Sequence, residues 1–520
     1  MPVLSGRRGP AAVGAAVLAA LGAVLALGLQ WRGVDWPAQL YRVQLFRHYG
    51  WVGFDFSWYG GHYPLAYSVL FPPLAAVLGV GTVAVASAAG SAWAFDRVVR
   101  SHFGSAGRVS SLLFAAGTLV PVAIGQLPFL LGVAFGLAAV VAYRANRLVA
   151  CLVAAAACGL TSSVAAGFLA MAAATLFVLA PAGRRLRPAL MAAVATAPLV
   201  VVTAAYRQGG TMPIRLGGVA ALLGACAVAL VLLPPEERAL RTGTLIYAAA
   251  AVGVFLVPSP VGGNIARLGT TVGVPLVIGV GLRYRRTLTV VAAVPLLAWQ
   301  WTPALAAMRG QGSGPTSQTT YFAPLLAELG RVSVGPARLE IPFTLDHWEA
   351  AWVAPTVPLA RGWMRQLDRQ DNPLFYETGP LDPARYHAWL DGDGVSWVAL
   401  PDVALDPSAT AEAALLAHPQ PWLRPVWHDA HWRLWAVADS PGLVSGPGHL
   451  TSLSPDAFTI QVDRVGPLTV RVRYSATMAV DEGGACLSST PEGWTVVDAR
   501  RTGPIQVGAG VVPRASTACS

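Results

Sequence analysis

Long apolar stretches dominate the first part of the chain, and short polar loops separate them. Eleven of these stretches are long enough to cross a bilayer as helices. They lie near residues 11–31, 74–95, 109–124, 127–143, 148–162, 164–181, 188–205, 216–233, 243–257, 268–282 and 287–305. The pattern predicts a polytopic α-helical membrane domain of about eleven transmembrane helices over residues 1–306.

Beyond a Gly- and Ser-rich stretch, GQGSGPTSQ (310–318), the apolar periodicity becomes shorter. Helical patterns in YFAPLLAELG (321–330) and ATAEAALLAH (409–418) alternate with the strand patterns ARLEIP, VSWVALP and WRLWAV. They predict a small α/β domain over residues 319–440. The later strand patterns FTIQVDRV, LTVRVRYS, WTVVDAR and PIQVGAGVV predict a β-sandwich, or part of one, over residues 441–520.

Composition supports this division into two regions. The 520 residues are 55% apolar and 12% charged, with a mean hydropathy of +0.54, which excludes an ordinary soluble protein. Through Leu305 there are 21 arginines against five acids, whereas from Ala306 onward there are 15 against 21. The formal net charges are therefore +16 and −6. The arginines are dispersed among short loops, so no nucleic-acid partner is indicated.

The arginine distribution also predicts the orientation in the membrane. If the N-terminus is cytoplasmic, 15 arginines of the membrane region fall in inner segments and six in outer ones, in agreement with the positive-inside rule. The six outer residues are Arg32, Arg42, Arg47, Arg207, Arg215 and Arg267. The first stretch exceeds the usual apolar core of a signal peptide, so we expect a retained helix. An odd number of spans then makes the C-terminal region extracytoplasmic.

The cysteines agree with this orientation. Cys151, Cys158 and Cys226 lie in apolar spans and are expected to be packing residues. Cys486 and Cys519 lie in the predicted outer region, where an oxidising compartment permits a disulfide between them. No cysteine and histidine spacing typical of zinc occurs, and the sequence neither requires nor excludes a divalent metal.

Two carboxylates, Asp35 and Asp55, fall on the predicted outer face of the membrane domain, both within the first outer loop (32–63). An acid there is either a solvated loop residue or a group held at the membrane face for chemistry. The scarcity of other outer acids favours the second interpretation, with Asp35 as the first candidate base and Asp55 as the weaker one. The same loop offers His62, Trp58 and Tyr59 as candidate substrate contacts, with packing at the interface as the alternative for His62.

The arrangement resembles the GT-C glycosyltransferases. The resemblance rests on Asp35 after the first helix, a long outer loop ending in GGHYP (60–64), a PPL stretch (72–74), many short-looped helices and an outer C-terminal region. GQLPFLLG (125–132) and PSPVGGNIARL (258–268), each at a predicted outer turn, also fit. Many members carry paired acids, whereas here Trp36 follows Asp35, a difference that bears on metal binding more than on base catalysis.

The resemblance implies an inverting enzyme of the bacterial plasma membrane. Its partners would be a polyprenyl-phosphate sugar donor, a glycan or glycolipid acceptor, and membrane lipids; mannosyl- and arabinosyltransferases of cell envelopes would be the nearest relatives. We expect Asp35 to be the base and Arg267 to bind the donor phosphate, with Arg207 or Arg215 as second choices. Gln126 and Asn264 are further candidate substrate contacts. The alternative for Arg267 is an arginine that meets lipid headgroups.

In the outer region, DHWEAAWVA (346–354) combines aromatic and charged residues. His347, Trp348 and Glu349 are candidates for stacking on sugar rings and binding their hydroxyls, and anchoring at the membrane interface is the alternative.

Two other functions remain open on the sequence. The first is a polytopic transporter or lipid flippase, and the second is a non-catalytic envelope-assembly protein whose C-terminal domain binds glycan. A deep outer cavity with Asp35 at its base would favour the enzyme, and a continuous central pathway would favour transport.

Overall fold

The computed structural model of the chain describes residues 10–206, 210–311, 314–482, 484–512 and 519. Its internal contacts divide the chain into two compact units. The helical unit takes Met1–Trp36, Tyr67–Arg207 and Thr211–Gly312, and the mixed unit takes Pro37–Ala66, Gln208–Gly210 and Ser313–Ser520.

Apolar helices build the helical unit. In chain order they are Pro10–Gly28, Phe71–Leu78, Val80–Phe103, Arg108–Gly117, Leu119–Ile124, Leu127–Arg144, Leu148–Thr161, Ser163–Leu179, Leu186–Ala205, Leu216–Leu232, Arg238–Leu256, Ala266–Leu268, Val274–Tyr284 and Arg286–Ala306. Among the described residues, six helical stretches are long and apolar enough to cross a membrane, and four shorter apolar helices accompany them. Each of the eleven predicted stretches overlaps a helix, so the predicted polytopic helical architecture is confirmed.

Small residues set the packing of the first helix. Ala15, Ala19, Ala23 and Ala26 recur every three or four positions and are all buried. That spacing places them along one face, where the absence of a large side chain lets a neighbouring helix approach closely. The first helix, Pro10–Gly28, contacts the helix Val80–Phe103.

The loop predicted to be the first outer one (32–63) contains a helix that the sequence pattern did not predict. Trp36–Tyr49 is helical, and from Pro37 to Ala66 the loop belongs to the mixed unit. Tyr41, Val43 and Leu45 are buried in alternation with polar residues, and Arg42 is buried with them. Because charged and apolar positions are mixed around the helix, the usual 3.6-residue apolar period is missing.

Among its described residues, the rest of the mixed unit combines short helices with twelve strands. The helices are Thr319–Val332, Glu349–Trp352, Arg365–Asp371, Pro383–Asp393 and Thr410–Leu416. The strands are β1 Arg338–Glu340, β2 Val395–Pro401, β3 Leu423–His428, β4 Trp432–Val437, β5 Val444–Ser445, β6 Gly448–Leu453, β7 Ala457–Val462, β8 Gly466–Arg473, β9 Met478–Glu482, β10 Ala485–Ser489, β11 Trp494–Ala499 and β12 Gly503–Ala509.

These strands form three four-stranded sheets. The first has the order β1-β2-β4-β3, with β1 parallel to β2 and the other pairs antiparallel. The other two have the orders β10-β11-β8-β5 and β6-β7-β12-β9. Ile460 and Val462 from one of these sheets share a buried apolar cluster with Val470 and Val472 from the other. The two sheets therefore pack face to face, as alternating inward residues require.

The predicted disulfide is present between Cys486 on β10 and Cys519, with 4.9 Å between the two Cα atoms. The Cys519 amide also donates to the carbonyl of Leu487 at 3.1 Å. The bond therefore joins the end of the chain to a strand.

Candidate functional site

Asp35 is held at the end of the helix Leu119–Ile124 by backbone hydrogen bonds. The Asp35 amide donates to the carbonyl of Ile124 at 2.9 Å, and the Gly33 amide donates to the carbonyl of Ala123 at 2.8 Å. The indole Nε1 of Trp36 donates to the carbonyl of Val122 at 2.9 Å. These bonds use carbonyl groups that a helix end leaves without intrahelical donors, so they position Asp35 without engaging its carboxylate.

The first residue of GQLPFLLG must be glycine because of its closeness to Asp35. Gly125 has a φ of +90°, and a Cβ there would lie 2.4 Å from the Trp36 nitrogen and 2.7 Å from the Asp35 carbonyl carbon. A side chain would meet rigid backbone in a conformation that L residues rarely adopt. The glycine therefore allows the loop after the first helix to contact this turn.

Arg267 lies beside Asp35. Its Nη2 is 3.7 Å from Oδ2 of Asp35, and the two side chains are 19% and 11% exposed. The Arg267 guanidinium carbon lies 5.5 Å from the ring centroid of Phe129. Three separate stretches that carry the family resemblance therefore meet at one ion pair: the loop after the first helix, GQLPFLLG and PSPVGGNIARL.

Tyr247 braces the turn that carries Arg267. Its buried hydroxyl donates to the carbonyl of Ile265 at 2.9 Å and accepts from the amide of Gly269 at 3.1 Å. A Cβ on Gly269 would lie 2.7 Å from Trp299 and 3.0 Å from this hydroxyl. The segment Gly269–Gly273 is a π-helical turn, a feature found often at functional sites. Tyr247 was not predicted, because a tyrosine within an apolar span carries no distinguishing pattern.

The other candidates of the helical unit lie around these elements. Gln126 directly precedes the helix Leu127–Arg144, and Asn264 lies three residues before Arg267; both are partly exposed. Arg215 is exposed and immediately precedes the helix Leu216–Leu232. Arg207 lies outside the described residues. Their predicted substrate and phosphate contacts stay predictions.

Asp55 occupies a different environment, within the mixed unit. It is fully buried, and its Oδ2 accepts from Tyr41 Oη at 2.6 Å while its Oδ1 accepts from the Ser57 amide at 3.0 Å. His62 Nε2 lies 3.6 Å from Asp55 Oδ2. Burial raises the pKa of Asp55 to about 6, although its hydrogen bonds oppose the shift. Burial lowers the pKa of His62 to about 3, and the nearby Arg42 charge acts in the same direction.

The aromatic candidates beside Asp55 are also buried. Trp58 stacks on His62 with 4.7 Å between ring centroids, and Tyr59 Oη donates to the carbonyl oxygens of Met364, at 3.1 Å, and Gly362. Because Trp58 and Tyr59 are buried against other groups of the protein, they present little surface to a ligand. The arrangement favours a packing role for Asp55, His62, Trp58 and Tyr59 over the predicted catalytic and substrate contacts.

His347, Trp348 and Glu349 are likewise buried. Glu349 Oε2 accepts from Thr344 Oγ1 at 2.6 Å, His347 Nε2 lies 3.5 Å from Asp406 Oδ2, and Trp348 stacks on Trp352. His347 has a φ of +57°, an uncommon conformation for a non-glycine residue. The same physical reason, enclosure by protein, favours packing here over the predicted sugar contact.

A buried charge network centred on Arg361 was not predicted. Its Nε and Nη2 donate to the two carboxylate oxygens of Asp368 at 3.1 and 2.8 Å, and its Nη1 donates to Glu412 at 3.3 Å. Glu340 lies 3.7 Å from Nη1, and the rings of Phe343 and Phe375 lie 3.9 and 3.8 Å from the guanidinium carbon. Such enclosure identifies a structural network.

Comparison with known proteins gives structural similarities only, because no family model and no curated protein matches the chain. The cryo-EM structure of the arabinofuranosyltransferase AftD from Mycobacteria is 14% identical, with a TM-score of 0.46, and the match covers 87% of this chain and 41% of that one. The crystal structure of ArnT from Cupriavidus metallidurans bound to undecaprenyl phosphate is 15% identical, with a TM-score of 0.39, over 82% of this chain and 98% of that one. The chain thus spans about two fifths of the length of the AftD chain.

Proposed function

We propose that this protein is an inverting glycosyltransferase of the bacterial plasma membrane. It moves a sugar from a polyprenyl-phosphate donor to a cell-envelope glycan or glycolipid acceptor on the outer face. The observation that carries the proposal is the Asp35–Arg267 pair, 3.7 Å between Oδ2 and Nη2, at the point where the motifs of the GT-C resemblance meet. Asp35 is buried but keeps 11% of its side chain exposed, and the Arg267 side chain is 19% exposed, so neither group is fully enclosed.

The reaction assigns one role to each partner of this pair. An acceptor hydroxyl attacks the anomeric carbon of the donor, and the bond from that carbon to the phosphate oxygen breaks. Asp35 takes the proton from the acceptor hydroxyl as general base. Arg267 binds the departing polyprenyl phosphate through its guanidinium, whose planar fork suits phosphate oxygens. Attack from the face opposite the leaving group inverts the configuration at the anomeric carbon.

The neighbouring groups suit these roles. The Asp35–Arg267 distance exceeds that of a direct hydrogen bond, so the guanidinium keeps donors available for a phosphate. Phe129 lies beneath the guanidinium and is itself buried, so its ring helps to hold the guanidinium in place by a cation–π contact. Donor phosphate and Asp35 then compete for one cation, and donor binding weakens the hold of Arg267 on the carboxylate that must accept the proton.

The test is a transfer assay with the full chain in detergent, using mannose and arabinose linked to polyprenyl phosphate and lipid-extracted envelope glycan as acceptor. We expect release of free polyprenyl phosphate together with a glycosylated acceptor. A transporter or flippase would instead move the intact lipid-linked sugar across proteoliposomes without breaking the bond to phosphate. An envelope-assembly protein would do neither. Transport without bond cleavage, or binding without either activity, would contradict the proposal.

A further inference from the structure

The mixed unit contains a cavity of about 310 Å³ that the proposed reaction does not use. His387 and Asp391 of the helix Pro383–Asp393 line one side of it. Trp422 and Arg424, at the start of β3, and Asp439, after β4, line the rest. The volume lies at the lower end of the range for small-molecule sites, which fits one sugar residue rather than a large ligand.

A flat aromatic pair forms part of the wall. The rings of His387 and Trp422 stack with 4.7 Å between centroids and an angle of 5° between planes. Trp422 also packs against Tyr386, which is buried in the core of this region. The pair is therefore fixed by the protein and not a mobile surface group. Fixed indole surfaces lose little entropy when they contact the C–H faces of a sugar.

Two polar atoms at the cavity are screened from solvent without being hydrogen-bonded by the protein. His387 Nε2 lies 3.6 Å from Asp391 Oδ2, beyond hydrogen-bond distance, and among the described residues neither this Nε2 nor Asp391 Oδ1 has a hydrogen-bond partner. Burying a polar atom without a partner costs free energy, so both side chains gain hydrogen bonds if they turn toward a ligand hydroxyl in the cavity.

The charges select the class of ligand. Asp391 and Asp439 provide acceptors, and Arg424 provides donors. Alternating acceptors and donors around an aromatic wall suit neighbouring hydroxyl groups, each of which donates and accepts. Two carboxylates against one guanidinium disfavour an acidic sugar. We propose that this cavity binds one neutral residue of a glycan, as a site separate from the Asp35–Arg267 pair.

The experiment measures binding of methyl α-D-mannopyranoside and methyl α-D-arabinofuranoside to the full chain in detergent by saturation-transfer NMR. Asp391→Asn keeps the size of the side chain and removes its charge. The control is Asp463→Asn, because Asp463 Oδ2 lies 3.7 Å from His449 Nδ1, a histidine and aspartate pair of similar spacing that lies outside the cavity. We expect Asp391→Asn to weaken binding of the better glycoside on the order of tenfold, and Asp463→Asn to leave it unchanged.

A second variant, Asp439→Asn, guards against misfolding, since asparagine tolerates the left-handed backbone at this position (φ +56°). It should also weaken binding while preserving the melting temperature. Absence of saturation transfer to both glycosides, or equal affinities for wild type and both cavity variants, would overturn the proposal. A response to tetramethylammonium but to neither glycoside would assign the cavity to a cation instead. Because the readout is binding, loss of sugar transfer in an Asp35 variant leaves this result unaffected.

Discussion

Two arginine and carboxylate sites in this protein differ in how completely the protein encloses them. In the mixed unit, Arg361 is buried and donates three hydrogen bonds to carboxylates. Asp368 also accepts from Tyr376 at 2.6 Å and from Asn372 at 2.9 Å, and Glu412 accepts from Tyr386 at 2.7 Å. In the helical unit, Nη2 of Arg267 and Oδ2 of Asp35 are 3.7 Å apart, and the side chains keep 19% and 11% of their surface exposed.

The difference separates structural charge from charge available to a ligand. A buried ion group is tolerated when hydrogen bonds replace the water it loses, as they do for Asp368 and Glu412 in the Arg361 network. The side chains of Asp35 and Arg267 keep a fraction of their surface exposed. The position of Asp35 is fixed by a hydrogen bond of its backbone amide. Burial and hydrogen bonding, more than the residue types, therefore favour the Asp35–Arg267 pair over the Arg361 network as the proposed site of chemistry.

Among the substitutions that separate the two sites, we expect Arg361→Ala to have the largest effect on the free energy of folding. Arg361→Ala leaves Asp368 and Glu412 buried without their cation, which should cost about 3–5 kcal/mol of folding free energy. The measurement is the melting temperature and the yield of folded protein in detergent. Arg385→Ala is the control, because it removes an exposed arginine paired with Glu377 and should change the melting temperature little. Equal effects of the two substitutions would mean that enclosure does not distinguish them.

Arg267 should show the opposite pattern. Arg267→Ala should weaken use of a polyprenyl-phosphate sugar by roughly ten- to a hundredfold, because a charge-assisted contact with phosphate contributes about 1.5–3 kcal/mol. Arg267→Lys should be intermediate, since lysine keeps the charge but not the fork. Donor titration of both variants and wild type in one detergent gives the comparison. Indistinguishable curves would leave Arg267 with lipid headgroups and direct the search for the phosphate site to Arg207 or Arg215.

The buried pair Asp55 and His62 predicts a pH dependence with two opposing signs. The pKa of Asp55 is raised to about 6, so its stabilising effect is present at low pH and is lost as pH rises through 6. The pKa of His62 is lowered to about 3, so stability is lost as pH falls below the ordinary histidine value. Between pH 6 and 4, the His62→Gln variant should gain stability as the pH falls, because it retains Asp55. The Asp55→Asn variant should lose stability over the same interval, because it retains His62.

Each of these slopes is at most about 1.4 kcal/mol per pH unit. Melting temperatures measured for both variants across this interval provide the check. Slopes of the same sign in the two variants would show that the pair does not titrate as its burial implies.

Tyr247 should have the smallest effect of the four. Tyr247→Phe keeps the ring and removes the hydroxyl that joins Ile265 to Gly269. The turn that carries Arg267 then loses about 1 kcal/mol of hydrogen-bond stabilisation. We expect the donor KM to rise severalfold with kcat less affected, and the melting temperature to stay close to that of wild type. A lower melting temperature with an unchanged KM would assign Tyr247 to stability alone.

The sequence predicted most of the architecture because its patterns are strong. The helical stretches are nearly uniformly apolar, and VSWVALP and WRLWAV coincide with β2 and β4 residue for residue. It missed the helix Trp36–Tyr49, whose polar and apolar residues do not follow the helical period. It also missed short or polar strands such as β5 and β9, where few alternating positions carry a signal. The domain limits at 306, 319 and 440 stay predictions, and the observed units group residues 37–66 with the C-terminal part.

The candidate site was predicted in part. The scarcity of outer acids selected Asp35, and the glycine-rich turn selected Arg267, but their closeness depends on a fold that brings together residues more than 200 positions apart. Arg361 and Asp368 lie in LARGWMRQLDRQDNPLFY (359–376), where the mixture of aromatic and charged residues gives no sign that both are buried. Glu340 and Glu412, which complete that network, lie 21 and 51 residues from Arg361. Sequence spacing alone cannot reveal such partners.

The central claim, that Asp35 is the general base of sugar transfer, is tested most directly by turnover of Asp35→Asn with a polyprenyl-phosphate sugar donor. We expect a loss of about 10²–10⁴-fold, with donor binding and melting temperature retained. Asp55→Asn, measured in parallel, should lose much less because that carboxylate is enclosed. Near-wild-type turnover of Asp35→Asn, with Asp55 as the essential group, would contradict the account.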